Sequence, residues 1–295
     1  MNIRNFHGSH KRRSYFEGWY LKHQNEQDTV ALIPAFHVDE TGRRSASLQV
    51  ITNTQVYGVD FPDSAFSAQS DRFFVRLGDC VFSEYGCQLD VKTESLTLKG
   101  MLRYGPFSPP ASDIMGPFRA VPGMECRHSV FSLYHRVDGE LTVNGQVFRF
   151  RDGTGYMEGD RGSSFPSRYL WTQCSWDGNC ILLSVADIPL YGRSFIGCIG
   201  VLYLNGREHR IATYRGVKLL HVDEKSVRLR QGSLTFQAEL LEGTPHPLRA
   251  PQTGRMSRTI HESASGHVRY ICTYKKKKIF DFVSKRASFE NNWTD

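Results

Sequence analysis

The sequence has no apolar run long enough to cross a bilayer, and its opening stretch from Met1 to Arg13 is polar and basic, without an apolar segment of signal-peptide length. A soluble, cytoplasmic protein is the expectation. There is no Cys-x-x-Cys pair either: Cys80, Cys87, Cys126, Cys174, Cys180, Cys198 and Cys272 are seven, an odd number, and scattered. This speaks for reduced thiols in strands rather than a disulfide framework or a structural zinc site. No His/Cys/carboxylate group shows zinc-type spacing, so no metal is expected. The eleven histidines, among them His7, His10, His37, His128, His246 and His261, are dispersed and read as surface or hydrogen-bonded groups. No RNA- or DNA-binding signature is present, and almost nothing has the period of a long helix.

What is present is strand periodicity. Hydrophobic content of 40% with 12% aromatics is ordinary for a globular protein, and the formal charge of +7 is mild, more than half of it coming from Lys275 to Lys278. That run reads as a hairpin tip with solvated charges, leaving transient contact with a membrane surface open. Short runs rich in β-branched, aromatic and leucine residues recur between Gly, Pro, Asn and Asp, from Asp28–Val38 and Ser45–Thr52 through Tyr169–Trp176 to His267–Tyr274. Asn144-Gly145, Asn205-Gly206, Asp177-Gly178 and Asp138-Gly139 are candidates for tight turns with positive φ. Together they predict an all-β protein of antiparallel barrels or sandwiches. Length favours two units, 1–152 and 153–295, meeting near Arg151 to Gly155. Leu141 to Gly145 and Val201 to Gly206 hint at duplication. The Pro- and Gly-rich tract from Gly105 to Gly123 reads as a lid, a crossover or a plain surface loop.

The densest chemistry lies between Tyr156 and Trp171, where two acids, two arginines and four aromatic rings surround a glycine turn. Three separated blocks carry a likeness. Phe16-Glu17-Gly18-Trp19-Tyr20-Leu21-Lys22 is the first; Tyr156-Met157-Glu158, Gly162-Ser163-Ser164-Phe165-Pro166 and Trp171-Thr172-Gln173-Cys174 form the second; Gly243-Thr244-Pro245 with Leu248-Arg249-Ala250-Pro251 is the third. In order and spread these blocks resemble the tocopherol cyclase family, departing from it at Gly159 and Arg161, where the plant-type enzymes place a lysine and a tryptophan. The resemblance implies a lipocalin-related β fold and a cofactor-independent reaction. An alkene on a prenylated quinol is protonated, and the quinol oxygen captures the tertiary cation.

Glu158 and Asp160 stand two apart, so in a strand they share one face, where desolvation and mutual repulsion favour keeping one protonated. Glu158 is the expected proton donor, Asp160 its partner and Glu17 the third candidate acid, with a hydrogen-bonded structural role the alternative for Glu17. Trp19, Tyr20, Tyr156, Arg161, Phe165, Trp171 and Arg249 are the expected substrate-binding residues, Arg161 or Arg168 holding the second carboxylate or orienting the quinol oxygen, and Arg249 a head-group or interface residue, or part of a rigid proline-flanked loop. The expected partner is a hydrophobic small molecule, a prenylated quinol or other isoprenoid. A non-catalytic lipid carrier, or a structural barrel with a filled interior, are the alternatives.

Overall fold

The computed structural model describes residues 6–190 and 192–293. Among them there is no α-helix, and the chain is all-β with three short 3-10 turns. The first sheet contains β1 (Tyr15–Gln24), β2 (Thr29–Val38), β3 (Arg44–Ile51), β4 (Val56–Pro62), β5 (Phe66–Ala68), β6 (Phe74–Leu77), β7 (Cys80–Ser83), β8 (Gly86–Lys92), β9 (Thr97–Tyr104), β10 (Cys126–Val143) and β11 (Gln146–Gly162). Its order is β4-β3-β2-β1-β11-β10-β9-β8-β7-β6-β5. The two edge strands, β4 and β5, are separated only by the turn Asp63–Ala65, so the sheet curls until its edges approach, a nearly closed barrel.

The second sheet contains β12 (Tyr169–Trp176), β13 (Asn179–Leu190), β14 (Arg193–Leu204), β15 (Arg207–Ala212), β16 (Lys218–Val222), β17 (Ser226–Gln231), β18 (Leu234–Glu242), β19 (His246–Gln252), β20 (Arg255–Tyr274) and β21 (Lys277–Asn291). Its order is β15-β14-β13-β12-β21-β20-β18-β17-β16, with β19 pairing β20. Both sheets follow one plan. In each, the first strand pairs with the last, and the edges are consecutive strands joined by a 3-10 turn, here Thr213–Arg215. The duplication hinted at by two Asn-Gly segments is therefore present in the topology, but those segments are not equivalent: Asn144-Gly145 joins β10 to β11, the last hairpin of its sheet, whereas Asn205-Gly206 joins the third and fourth strands of the other.

Turn chemistry explains most boundaries. Asn144-Gly145, Asp177-Gly178 and Asn205-Gly206 all have positive φ at both positions, as two-residue hairpins require. Asp138-Gly139 is not a turn. It lies within β10, where the register slips between Val137 and Gly139 and a Cβ on Gly139 would stand 2.2 Å from the Met101 carbonyl oxygen, so the glycine serves close strand approach at a bulge.

The expected boundary at Arg151 to Gly155 falls inside β11, which runs through it without a break. The chain divides by contacts into one unit of Met1–Pro110, Glu125–Phe165 and Arg249–Arg258, and a second of Ala111–Met124, Pro166–Leu248 and Thr259–Asp295. The Gly105 to Gly123 tract is thus no free lid: from Ala111 it belongs to the second unit. There the buried Arg210 guanidinium donates to the carbonyl oxygens of Ser112 and Asp113 at 3.0 and 2.9 Å, while the Ala111 amide donates to Glu208 at 2.7 Å. Each unit has its own apolar core, around Trp19, Leu48, Phe82, Phe148 and Met157 in the first and Leu170, Leu183, Phe236 and Phe289 in the second.

Candidate functional site

Strand alternation sorts the candidate residues. On β1 and β11, Trp19 and Met157 face the first unit's core, so Gly18, Tyr20 and Lys22 and, opposite them in register, Asp160, Glu158 and Tyr156 share the other face. His128 and Val130 of β10 pair with Asp160 and Glu158 and extend that face. Glu158 and Asp160 therefore do lie side by side, as their spacing predicts.

A histidine expected only as a surface or hydrogen-bonded group joins them. The His128 imidazole lies between the two carboxylates, with Nδ1 at 3.0 Å from Asp160 Oδ1 and Nε2 at 3.2 Å from Glu158 Oε2. The second is a close ionic contact without hydrogen-bond alignment, which leaves Nε2 without an aligned partner. Burial alone would disfavour the charged ring, but Glu158 and Asp160 override it and hold the imidazole pKa well above its ordinary value. The imidazolium, rather than a shared proton alone, is what relieves the repulsion between the two acids. Tyr156 donates its hydroxyl to Glu158 Oε2 at 2.5 Å, and the Cys126 thiol contacts Asp160 Oδ1 at 3.4 Å, its pKa pushed well up by burial and by that carboxylate. Lys22, wholly buried on the same face and in register with Tyr156, is a further basic side chain that the expectation did not single out.

His128, Glu158 and Asp160 are also the group, among the described residues, whose donor atoms lie close enough to hold a metal ion, all within 4.8 Å of one another. They come from two strands, so zinc-type spacing in sequence could not reveal them. In the arrangement described, both ring nitrogens face carboxylates, and an ion would have to displace the imidazole proton that these contacts favour.

The remaining candidates divide. Glu17, Arg161 and Trp19 lie on the opposite, inward face. Glu17 is saturated by hydrogen bonds: the His7 amide and the Tyr15 hydroxyl each donate at 2.8 Å, and His7 Nδ1 lies at 2.9 Å. Burial, then this carboxylate, raises the Tyr15 hydroxyl pKa. Arg161 stands opposite Glu17 in register and donates to Ser129 Oγ at 3.2 Å. The departure at Gly159 has a packing cause, since a Cβ there would lie 2.9 Å from the Gly18 carbonyl oxygen and 3.0 Å from the Phe131 ring. No lysine fits that space.

The first block, the Tyr156–Phe165 part of the second and the Arg249–Pro251 part of the third meet in the first unit. The Phe16 and Phe165 rings make an edge contact at 5.4 Å, the Phe165 amide donates to the Pro251 carbonyl at 3.2 Å, and the Gly254 amide donates to Ser163 at 2.7 Å. Arg249 grips Asp60 through two bonds of 2.9 and 2.7 Å and exchanges backbone bonds with the Gln49 side chain at 2.8 and 3.0 Å. Its guanidinium is thus committed to an exposed carboxylate. One register row leads there from the histidine: His128, Asp160, Gly18, Ala35, Ser47 and Asp60 sit opposite one another across six strands. Its middle is made of the smallest side chains. Trp171 lies on β12 in the second unit, in register with Glu290.

No family model matches the sequence, and no curated protein matches it. Among solved structures, kievitone hydratase from Nectria haematococca superposes with a TM-score of 0.53 at 10% identity, covering 95% of this chain and 89% of that one. CghA superposes at 0.57, also with 10% identity and the same coverage. An AttH-type protein from Nitrosomonas europaea gives 0.59 at 14% identity, over 99% of this chain and 95% of its own. The chain therefore has, over nearly its whole length, the two-sheet all-β fold of these proteins.

Proposed function

We propose that the protein is a cofactor-independent acid–base enzyme that adds an O–H group across a carbon–carbon double bond of a hydrophobic, prenylated quinol or related isoprenoid, closing a ring when the hydroxyl belongs to the substrate. The observation that carries this reading is the buried His128 imidazole set between Glu158 and Asp160. The three sequence blocks support the substrate class, and the fold shared with a hydratase supports the reaction type.

In this mechanism His128 is the proton reservoir and Glu158 delivers the proton. Transfer from the imidazolium gives Glu158 the neutral carboxyl that hands its proton to the substrate. The alkene π pair takes that proton as a new C–H bond, leaving a tertiary cation. Asp160 and the Glu158 carboxylate stabilise this charge, and aromatic rings on the same face, Tyr20 foremost, add roughly 0.5–2 kcal/mol each. A lone pair of the quinol oxygen forms the C–O bond, and its proton returns through a carboxylate to His128. Atoms and protons balance, and nothing is oxidised. Binding rests on the isoprenoid tail, at about 0.8 kcal/mol per buried methylene.

Turnover of prenylated quinols in D2O tests the proposal, read as deuterium at the carbon that gains the proton. Glu158→Gln should lower the rate by at least about 100-fold while leaving quenching of tryptophan fluorescence by the ligand nearly intact. Asp160→Asn should be milder. Saturable binding without turnover in the wild type would hand the function to a carrier, and full activity of Glu158→Gln would remove the assigned donor.

A further inference from the structure

The hairpin between β20 and β21 departs from the turn chemistry of the three Asn-Gly and Asp-Gly hairpins. Where Asn144-Gly145, Asp177-Gly178 and Asn205-Gly206 supply residues that tolerate positive φ, this turn places Lys275 at φ 49° and Lys276 at φ 64°. Side chains with a Cβ resist this conformation, so the tip spends backbone strain to present lysine. The register slips beside it: Cys272 pairs Phe280 and Thr273 pairs Lys278, which leaves Ile279 as the extra residue of a bulge. Ile279 is 49% exposed and Tyr274 48% exposed. Behind them, Trp176 packs against Phe280 and Phe282 with ring centroids 5.9 and 4.6 Å apart. Lys278 is paired with Asp281 at 2.9 Å and Lys275 lies over the Tyr274 ring at 5.6 Å, while Lys276 and Lys277 have no acidic partner among the described residues.

We infer that this hairpin tip is a docking element for an anionic phospholipid surface. Lysines alone would be a solvated turn. Here they flank an exposed isoleucine and tyrosine backed by a tryptophan–phenylalanine cluster, the combination that lets ammonium groups reach lipid phosphates while apolar side chains enter the interfacial layer. A nucleic acid is the poorer fit, because the exposed aliphatic Ile279 gains from burial in a lipid interface and offers no face for a base to stack on. The docking is independent of the acid chemistry and would serve a lipid carrier equally.

Co-sedimentation with sucrose-loaded vesicles tests it, using phosphatidylcholine alone and phosphatidylcholine mixed with phosphatidylglycerol. The protein should bind the mixed vesicles, release them at high salt and ignore the neutral ones. The double variant Lys275→Asn with Lys276→Gly restores a conventional hairpin turn, so it should fold at least as well as wild type while binding roughly 25-fold more weakly, about fivefold per lysine. Ile279→Ser should weaken binding without changing its salt dependence. The inference is overturned if wild type does not sediment with the anionic vesicles, if the double variant binds them as wild type does, or if a single-stranded oligonucleotide competes the protein off at equal charge.

Discussion

Replacing His128 by Gln tests the arrangement at the candidate site without any knowledge of the substrate. The substitution removes the cation between Glu158 and Asp160, whose side chains are 6% and 22% exposed, and leaves two neighbouring carboxylates in partly dry surroundings. Breaking a buried pair from one side costs about 3–5 kcal/mol, and the exposure of Asp160 argues for the lower end. In a chain of this size roughly 3 kcal/mol corresponds to a fall in Tm of about 6–12 °C. The pH dependence fixes the sign. A histidine held above its ordinary pKa contributes stability that is fully present below about pH 6.5 and is lost as pH rises through the raised folded-state value. The variant lacks that contribution, and below the carboxylate range its acids are neutralised by protonation. The difference in Tm between wild type and variant should therefore be largest at about pH 6, shrink as the solution is made alkaline, and shrink again in acid. Thermal melts followed by near-UV circular dichroism over that range measure it. A difference below about 2 °C at pH 6, or one that grows with rising pH, would refute the imidazolium between two carboxylates.

Two further substitutions probe the scaffold. Gly159→Ala brings a methyl group against the Gly18 carbonyl and the Phe131 ring and should cost about 1–3 kcal/mol in denaturant unfolding, with Gly159→Lys giving no folded protein; wild-type stability for the alanine variant would mean the two strands have room that the geometry denies. Arg210→Ala leaves the Ser112 and Asp113 carbonyls without their donor and should lose roughly 3 kcal/mol while making the chain between Ala111 and Met124 the first site of limited proteolysis, and unchanged cleavage there would show that the segment is held by something else.

The sequence foreshadowed the fold wherever strands were short and punctuated. The Tyr169–Trp176 strand has the bounds its residues suggest, and three dipeptide turns fall where Asn or Asp precedes Gly. It concealed β1 and β11, because Gly18 in one and Gly153, Gly155, Gly159 and Gly162 in the other lower strand propensity at the very positions where neighbouring backbones and rings come close. Those two strands carry most of the candidate site, so local propensity failed where tertiary contacts decided the conformation. The period of two was enough to put Glu158 and Asp160 on one face and should equally have separated them from Arg161. His128 was beyond such reasoning. It stands far from the acids in sequence, and only the β10–β11 register delivers it; the single local hint is a histidine two residues before Val130 at the head of an apolar strand.

The patchwork make-up of the first unit bears on how the chain acquires its structure during synthesis. Its sheet closes when β11 is complete, yet Arg249–Arg258, which belongs to the same unit, is translated only after most of the second sheet. At roughly 5–20 residues per second the ribosome takes on the order of 4–17 s to go from Gly162 to Arg249. Throughout that interval Gln49 lacks the backbone of Arg249, Asp60 lacks its guanidinium, and Phe165 lacks the Pro251 carbonyl. The nascent sheet therefore has all its own strands in place while the contacts made by Arg249 and Pro251 are still missing. A gene cut after Phe165 would express this waiting intermediate rather than a domain.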